Sequence, residues 1–177
     1  MLITRDDLKE ELGLNTTEYD SLLDSLARAV EDLWNRLTER EWLLKEHTEL
    51  RRCSGDGIVL LRNYPVREVL HVWEDDREVK DEDFSVDWEN GILYYPCSKG
   101  SWLKIVYRAG YDYDEFPESI RRVLIRQACY WFMQAKNHEW HVRSRTDPAG
   151  GGGITYGVER NLLPELEELA ERERRMR

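Results

Sequence analysis

The chain is 177 residues long, 35% charged and 41% hydrophobic, with a formal net charge of −10. That length holds one domain, or one domain with an appendage, and the seven Trp and nine Tyr suffice to fill one core. The negative balance argues against a protein that grips nucleic acid by neutralising phosphates, but it does not exclude DNA passing close by, because an acidic wall repels the duplex and keeps it from sticking.

No apolar run approaches the roughly 18 residues of a membrane span. The N-terminus opens on a helix cap, without a basic-then-apolar signal segment. Cys53, Cys97 and Cys129 form no CxxC pair, and their odd number argues against a disulfide framework. The expectation is a soluble protein of a reducing compartment.

Thr4 reads as an N-cap with Asp7 completing a capping box, and Gly13 stops the short helix, which is expected over 4–12. Thr17 reads as a second cap, opening a helix over 17–40. There Leu22, Leu23, Leu26, Val30, Leu33, Trp34 and Leu37 recur at three- and four-residue spacing, opposite a charged face.

Strands are expected within 42–108. Ser54-Gly-Asp-Gly57 is a turn before the apolar run Ile58–Leu61, and Asn63-Tyr-Pro-Val66 bends the chain toward a strand through Val72 and Trp73. The acidic stretch Glu74–Asp83 reads as an exposed hairpin tip and loop. Asn90-Gly91 predicts a type I′ hairpin between Phe84–Trp88 and Ile92–Tyr95. A last strand alternates Trp102, Ile105 and Tyr107 against Leu103 and Val106, and closes at Tyr107-Arg-Ala-Gly-Tyr111.

Pro117 opens a long helix to 137, with Ile120, Val123, Leu124, Gln127, Ala128, Trp131 and Ala135 on one stripe. Residues 138–177 then read as a flexible arm, containing Gly150–Gly153 and ending in a charged helix from Leu162. The fold class expected is α+β and mainly helical: N-terminal helices, a small antiparallel β-rich middle, a long helix and the arm. The core domain is 1–137.

Chemistry-bearing patterns are sparse. His138 and His141 lack further ligands at zinc spacing, and the HExxH pattern fails by one residue. Gly150–Gly153 precedes Ile-Thr-Tyr where a phosphate loop needs Gly-Lys-Ser/Thr. Asp75, Asp76, Asp81, Glu82 and Asp83 lack the regular ligand spacing of a calcium loop. No nucleophile elbow or carboxylate pair stands out, so no catalytic residue, cofactor or metal is expected and the chain reads as no enzyme.

Docking residues are better marked. The narrow stripe Leu162, Leu163, Leu166 and Leu169, with Ile154 and Tyr156 on the arm, suits a partner's groove, a neighbouring copy or a fold back onto its own domain. Trp73, Trp88 and Trp140 lie at strand ends or turns, where aromatics anchor subunit interfaces as well as cores.

The order of these elements resembles the head–tail connector (adaptor, head-completion) proteins of tailed bacteriophages. The opening Met1–Leu14 with its following helix, the Gly55-Asp-Gly57 to Val66 turn region and the Tyr107–Tyr111 exit to Pro117 carry the resemblance. Leu162-Leu-Pro-Glu165 adds to it.

The resemblance implies a structural protein of the virion, made in the host bacterial cytoplasm. It implies a ring of about a dozen copies beneath the portal protein, bound to a tail-side or stopper protein below. DNA would pass through the channel without sequence-specific binding, with Asp75, Asp76, Asp81, Glu82 and Asp83 lining it, and no membrane is involved. The alternatives are a DNA-packaging or tail-completion subunit, and a metal-dependent hydrolase built on His138 and His141.

Overall fold

The computed structural model describes residues 1–137, 142–144, 155–156 and 162–174. Thr4 caps α1 (Arg5–Leu12): its hydroxyl accepts from the Asp7 amide at 3.2 Å, and the Asp7 carboxylate accepts from the Thr4 amide at 2.6 Å. This reciprocal box satisfies two otherwise orphaned donors. Gly13, at φ 64°, ends the helix.

The expected cap at Thr17 needs correction. The Thr16 hydroxyl accepts from the Glu18 amide and the Thr17 carbonyl accepts from the Asp20 amide, so the chain turns once before α2 (Asp20–Thr38) begins.

Two compact units result, one from Met1–Thr38 with Pro117–Arg177 and one from Glu39–Phe116. In the first, α1 and α2 pack with α3 (Glu118–Asn137) and α4 (Pro164–Glu173). Leu8, Leu23, Val30, Trp34, Leu124, Ala128, Phe132 and Leu166 fill the interior, and Tyr19 meets Phe132 edge-on at 5.2 Å. Two polar contacts hold the start of α4. The Arg126 guanidinium lies 2.7 Å from Glu165, and the buried Gln127 carbonyl accepts from the Leu163 amide at 2.8 Å. In the same unit β8 (Val142–Ser144) pairs antiparallel with β9 (Thr155–Tyr156).

The middle unit is two antiparallel sheets. β1 (Lys45–Arg52), β7 (Trp102–Ala109), β3 (Val66–Glu74) and β4 (Arg77–Glu78) form one in that order. β2 (Ile58–Leu60), β6 (Ile92–Tyr94) and β5 (Ser85–Asp87) form the other. Val59, Leu61, Val66, Val72, Leu93, Leu103, Ile105 and Tyr107 make one core between them. The chain is therefore α+β but not mainly helical. Its strands are short and charged on one face, which conceals them beside the long helical stripes.

Three local expectations are corrected here. The Asn90-Gly91 turn is not type I′, because only Gly91 has positive φ (58°). Four residues join Asp87 to Ile92, and the Asp87 carboxylate holds the loop by accepting from the Asn90 amide at 3.0 Å. The two-residue loop with both φ positive is Asp75-Asp76 (44° and 70°), between β3 and β4.

In β7, Leu103 shares the inner face with Ile105 and Tyr107, which turns Trp102 outward.

Cys53 and Cys97, finally, form a disulfide with Cα atoms 6.1 Å apart. The register Arg52↔Trp102 brings the loops after β1 and before β7 together, an adjacency invisible from their sequence distance. The odd cysteine, Cys129, is buried in α3 of the other unit.

Candidate interaction surfaces

The motif Asn63-Tyr-Pro-Val66 is a hub of the middle unit. Buried Asn63 accepts from the Glu41 amide at 2.8 Å, and its own amide donates to the Tyr107 hydroxyl at 3.2 Å. That hydroxyl donates to Glu49, which also accepts from the Arg62 amide at 2.9 Å and from Arg51 at 2.8 Å. Burial first, and the Glu49 charge second, push the Tyr107 phenol well above its usual range. The Tyr64–Pro65 peptide is cis, and the Pro65 carbonyl accepts from the Gly110 amide at 2.9 Å.

A second hub lies at the other end of the sheets. Glu74 accepts from the Ser101 hydroxyl (2.7 Å), the Ser98 amide (2.8 Å) and the Tyr95 hydroxyl (2.7 Å). These hydrogen bonds hold its carboxyl below the ordinary range, while burial and Glu74 raise Tyr95 to about 12. They fix the loop that carries Cys97.

On the outer face of the four-stranded sheet, Lys104 sits in register between Leu50 on β1 and Trp73 on β3. With Trp102, Asp75 and Asp76 these residues line a groove of about 490 Å³. The Lys104 ammonium lies 5.0 Å from the Trp73 ring, which also stacks on His71 at 5.1 Å. Asp75 is held by accepting from the Trp102 amide at 2.9 Å. Leu50 and Trp102 are 61% and 49% exposed, an unusual amount of large apolar surface for one sheet face.

The three-stranded sheet has its own apolar stripe. Val59 in β2 and Leu61 just after it are buried, which leaves Ile58 and Leu60 on the outer side beside Tyr94, the cross-strand partner of Ile58. Arg62 continues the alternation outward.

Of the residues singled out in the sequence, Trp73, Asp75 and Asp76 come together in the groove. Asp81, Glu82 and Asp83 lie apart from it in a short 3-10 turn. Trp88 is 48% exposed on the β5–β6 loop, its carbonyl accepting from the Val66 amide at 2.6 Å. Leu166 in α4 is buried, while Leu162 and Leu163 just before the helix and Leu169 within it are half-buried. Tyr156 belongs to β9. Trp140, Ile154, His138, His141 and Gly150–Gly153 lie outside the described residues. Among the described residues, no group of three or more His, Cys, Asp or Glu side chains is placed to hold a metal ion, and no helix is long and apolar enough to cross a membrane.

The marked features of the described residues are two exposed apolar faces on the middle unit. The family described as "Head completion protein" matches residues 1–169. The chain belongs to the head completion protein family. Its role is accordingly structural, that of a head–tail connector of a phage-like particle.

The fold has solved counterparts. A chain in the neck of an empty GTA particle, computed with C6 symmetry, is 15% identical with a TM-score of 0.63, covering 99% of this chain and 91% of that one. One in the virion of a native gene transfer agent particle is 16% identical (TM-score 0.62, 99% and 91%). A third, in the native GTA neck computed with C12 symmetry, is 17% identical (TM-score 0.59, 97% and 88%). Among curated proteins no match is found.

Sequence reasoning passed over Leu50, Trp102, Ile58 and Leu60 because an apolar residue in a strand reads as core. The available signal was Leu50 standing alone on the strand Lys45–Arg52, whose other residues are all polar or charged.

Proposed function

We propose that this head-completion protein is an adaptor that closes as a homo-oligomeric ring of about a dozen copies, beneath a portal and around the DNA channel. The observation that carries this reading is the family match over residues 1–169. Two apolar outer faces on one small unit support it, because a ring contact is head-to-tail and needs two different adhesive surfaces on each subunit. The cyclic symmetry named for two of the structural neighbours is in keeping with it.

In this reading the ring meets the portal above and a tail-side or stopper protein below, within the virion. The portal-facing element is the C-terminal segment with Leu162, Leu163, Leu166 and Leu169, joined by Ile154 and Tyr156. Docking through Leu166 requires α4 to give up its packing on α2 and α3, because that side chain is buried there.

Trp73 and Trp88 serve subunit contacts, together with Trp140. Asp81, Glu82 and Asp83, all exposed, line the channel and repel the duplex, while Asp75 and Asp76 belong with the groove.

The test is assembly without this chain. The expected product is DNA-filled heads that fail to join tails and regain joining when purified protein is added. Tailed, infectious or transducing particles formed without it would overturn the reading.

A further inference from the structure

We infer that the ring contact joins two patches of the middle unit. The groove of one copy, walled by Leu50, Trp73 and Trp102, takes the stripe Ile58, Leu60 and Arg62 of the next, with the Arg62 guanidinium set against Asp75 and Asp76. The inference rests on the ring reading and names the contact that closes it.

Four observations lead to it. Both patches are apolar and open: Ile58 is 48% exposed and Leu60 42%, facing outward from one sheet, while Leu50 and Trp102 face outward from the other. Burying such side chains is the main favourable term in association, and aromatic walls around an aliphatic stripe are typical of an interface centre.

The patches also differ in charge. The groove holds two carboxylates against the single ammonium of Lys104, whereas the stripe ends in a cation. Neither Arg62's guanidinium nor Asp76's carboxylate has an ion-pair or hydrogen-bond partner among the described residues.

The stripe is also preorganised. Arg62's amide is held by Glu49 at 2.9 Å and Leu61's by the Gly91 carbonyl at 2.9 Å, so the outward side of 58, 60 and 62 is fixed before any contact.

Charge also selects the symmetry. Pairing each patch with its own copy would set Arg62 against Arg62, or Asp76 against Asp76, which costs several kcal/mol. Stripe-in-groove pairing sets opposite charges together in a head-to-tail contact, the kind that builds a ring when its rotation closes.

Sedimentation velocity of the full chain over a rising concentration series tests this, using Arg62→Asp, Asp76→Lys, the double variant and an equimolar mixture of the two single variants. The wild type is expected to self-associate. Each single variant is expected to associate at least about tenfold more weakly. The double variant and the mixture, in which every contact again meets an opposite charge, are expected to recover. Recovery also shows that the single variants fold.

Variants that associate like the wild type, or that are not restored by the swap, overturn this contact while leaving the ring reading in place. A wild type that stays monomeric at every concentration also overturns this contact, and leaves the ring reading to be decided by assembly on the portal.

Discussion

The guanidinium of Arg40 lies over the indole of Trp42, 3.5 Å from the ring centre, and the ring of Tyr64 covers it at 3.7 Å. Arg40 is almost fully buried and donates to the Tyr64 carbonyl at 3.1 Å. A flat, weakly hydrated cation suits such a slot, and a lysine ammonium does not. Arg40→Ala is expected to lower the stability of the middle unit by about 2–4 kcal/mol, with Arg40→Lys recovering less than half of it. Denaturant unfolding followed by tryptophan fluorescence checks this. Equal stability of the lysine variant and the wild type would show that the stacking contributes nothing.

Gly110 explains why the exit motif reads Tyr107-Arg-Ala-Gly-Tyr111. It sits at φ 115°, and a Cβ there would come within 2.5 Å of the Leu43 carbonyl oxygen, against backbone that cannot move aside cheaply. Gly110→Ala is expected to cost about 2–4 kcal/mol, from the backbone conformation and the clash together. Gly13→Ala, with open space around its Cβ, is expected to cost only about 1 kcal/mol. Thermal melts of the two variants side by side check the difference in size.

The Cys53–Cys97 bond closes 44 residues of chain, and the loop-entropy account assigns such a closure about 4 kcal/mol. Cys53→Ser and Cys97→Ser are each expected to destabilise the middle unit by about 2–4 kcal/mol, and a thiol reductant applied to the wild type is expected to do the same. The buried Cys129, its thiol raised to about 11 by burial, is expected to react with alkylating reagents only after unfolding. Melting temperatures with and without reductant that coincide would contradict the account.

Acid is expected to weaken the middle unit through two groups. Glu74's folded carboxyl titrates below its ordinary range, so its contribution is complete above that range and is lost as pH falls through it. His47 is held below 6.5, chiefly by burial and then by Lys45. As pH drops below 6.5 the unfolded chain gains a proton that the folded chain resists, and stability falls. His47→Phe is expected to flatten the loss between about pH 7 and about pH 5.5, leaving the Glu74 part at lower pH. Unfolding curves across this range decide it; a His47→Phe profile parallel to the wild type would remove His47 from the explanation.

How far these features were legible differs from residue to residue. Thr4, Asp7 and Gly13 announce α1 because capping is local chemistry, written within one helical turn. The α3 core was partly legible from helical spacing: Ile120, Leu124, Gln127 and Ala128 of the expected stripe are buried, whereas the buried Phe132 was left off it. Trp102 was misassigned because alternation alone does not say which side of a strand is wet. Cys53 and Cys97 were misread because their meeting depends on β1 lying beside β7, a register no local pattern carries. The groove was missed for the same reason: Leu50, Trp73 and Trp102 belong to three strands. Ile58 and Leu60 looked like core within an unbroken apolar run, and only the buried alternates Val59 and Leu61 reveal that half of the run faces water.

The central claim, that this head-completion chain acts by assembling as a ring beneath the portal, is tested most directly by light-scattering mass of the purified protein alone and mixed with a portal protein. The account predicts a ring of about a dozen copies, or subunits that add to the portal in a fixed ratio and close there. A chain that remains monomeric or dimeric and ignores every portal offered would contradict it.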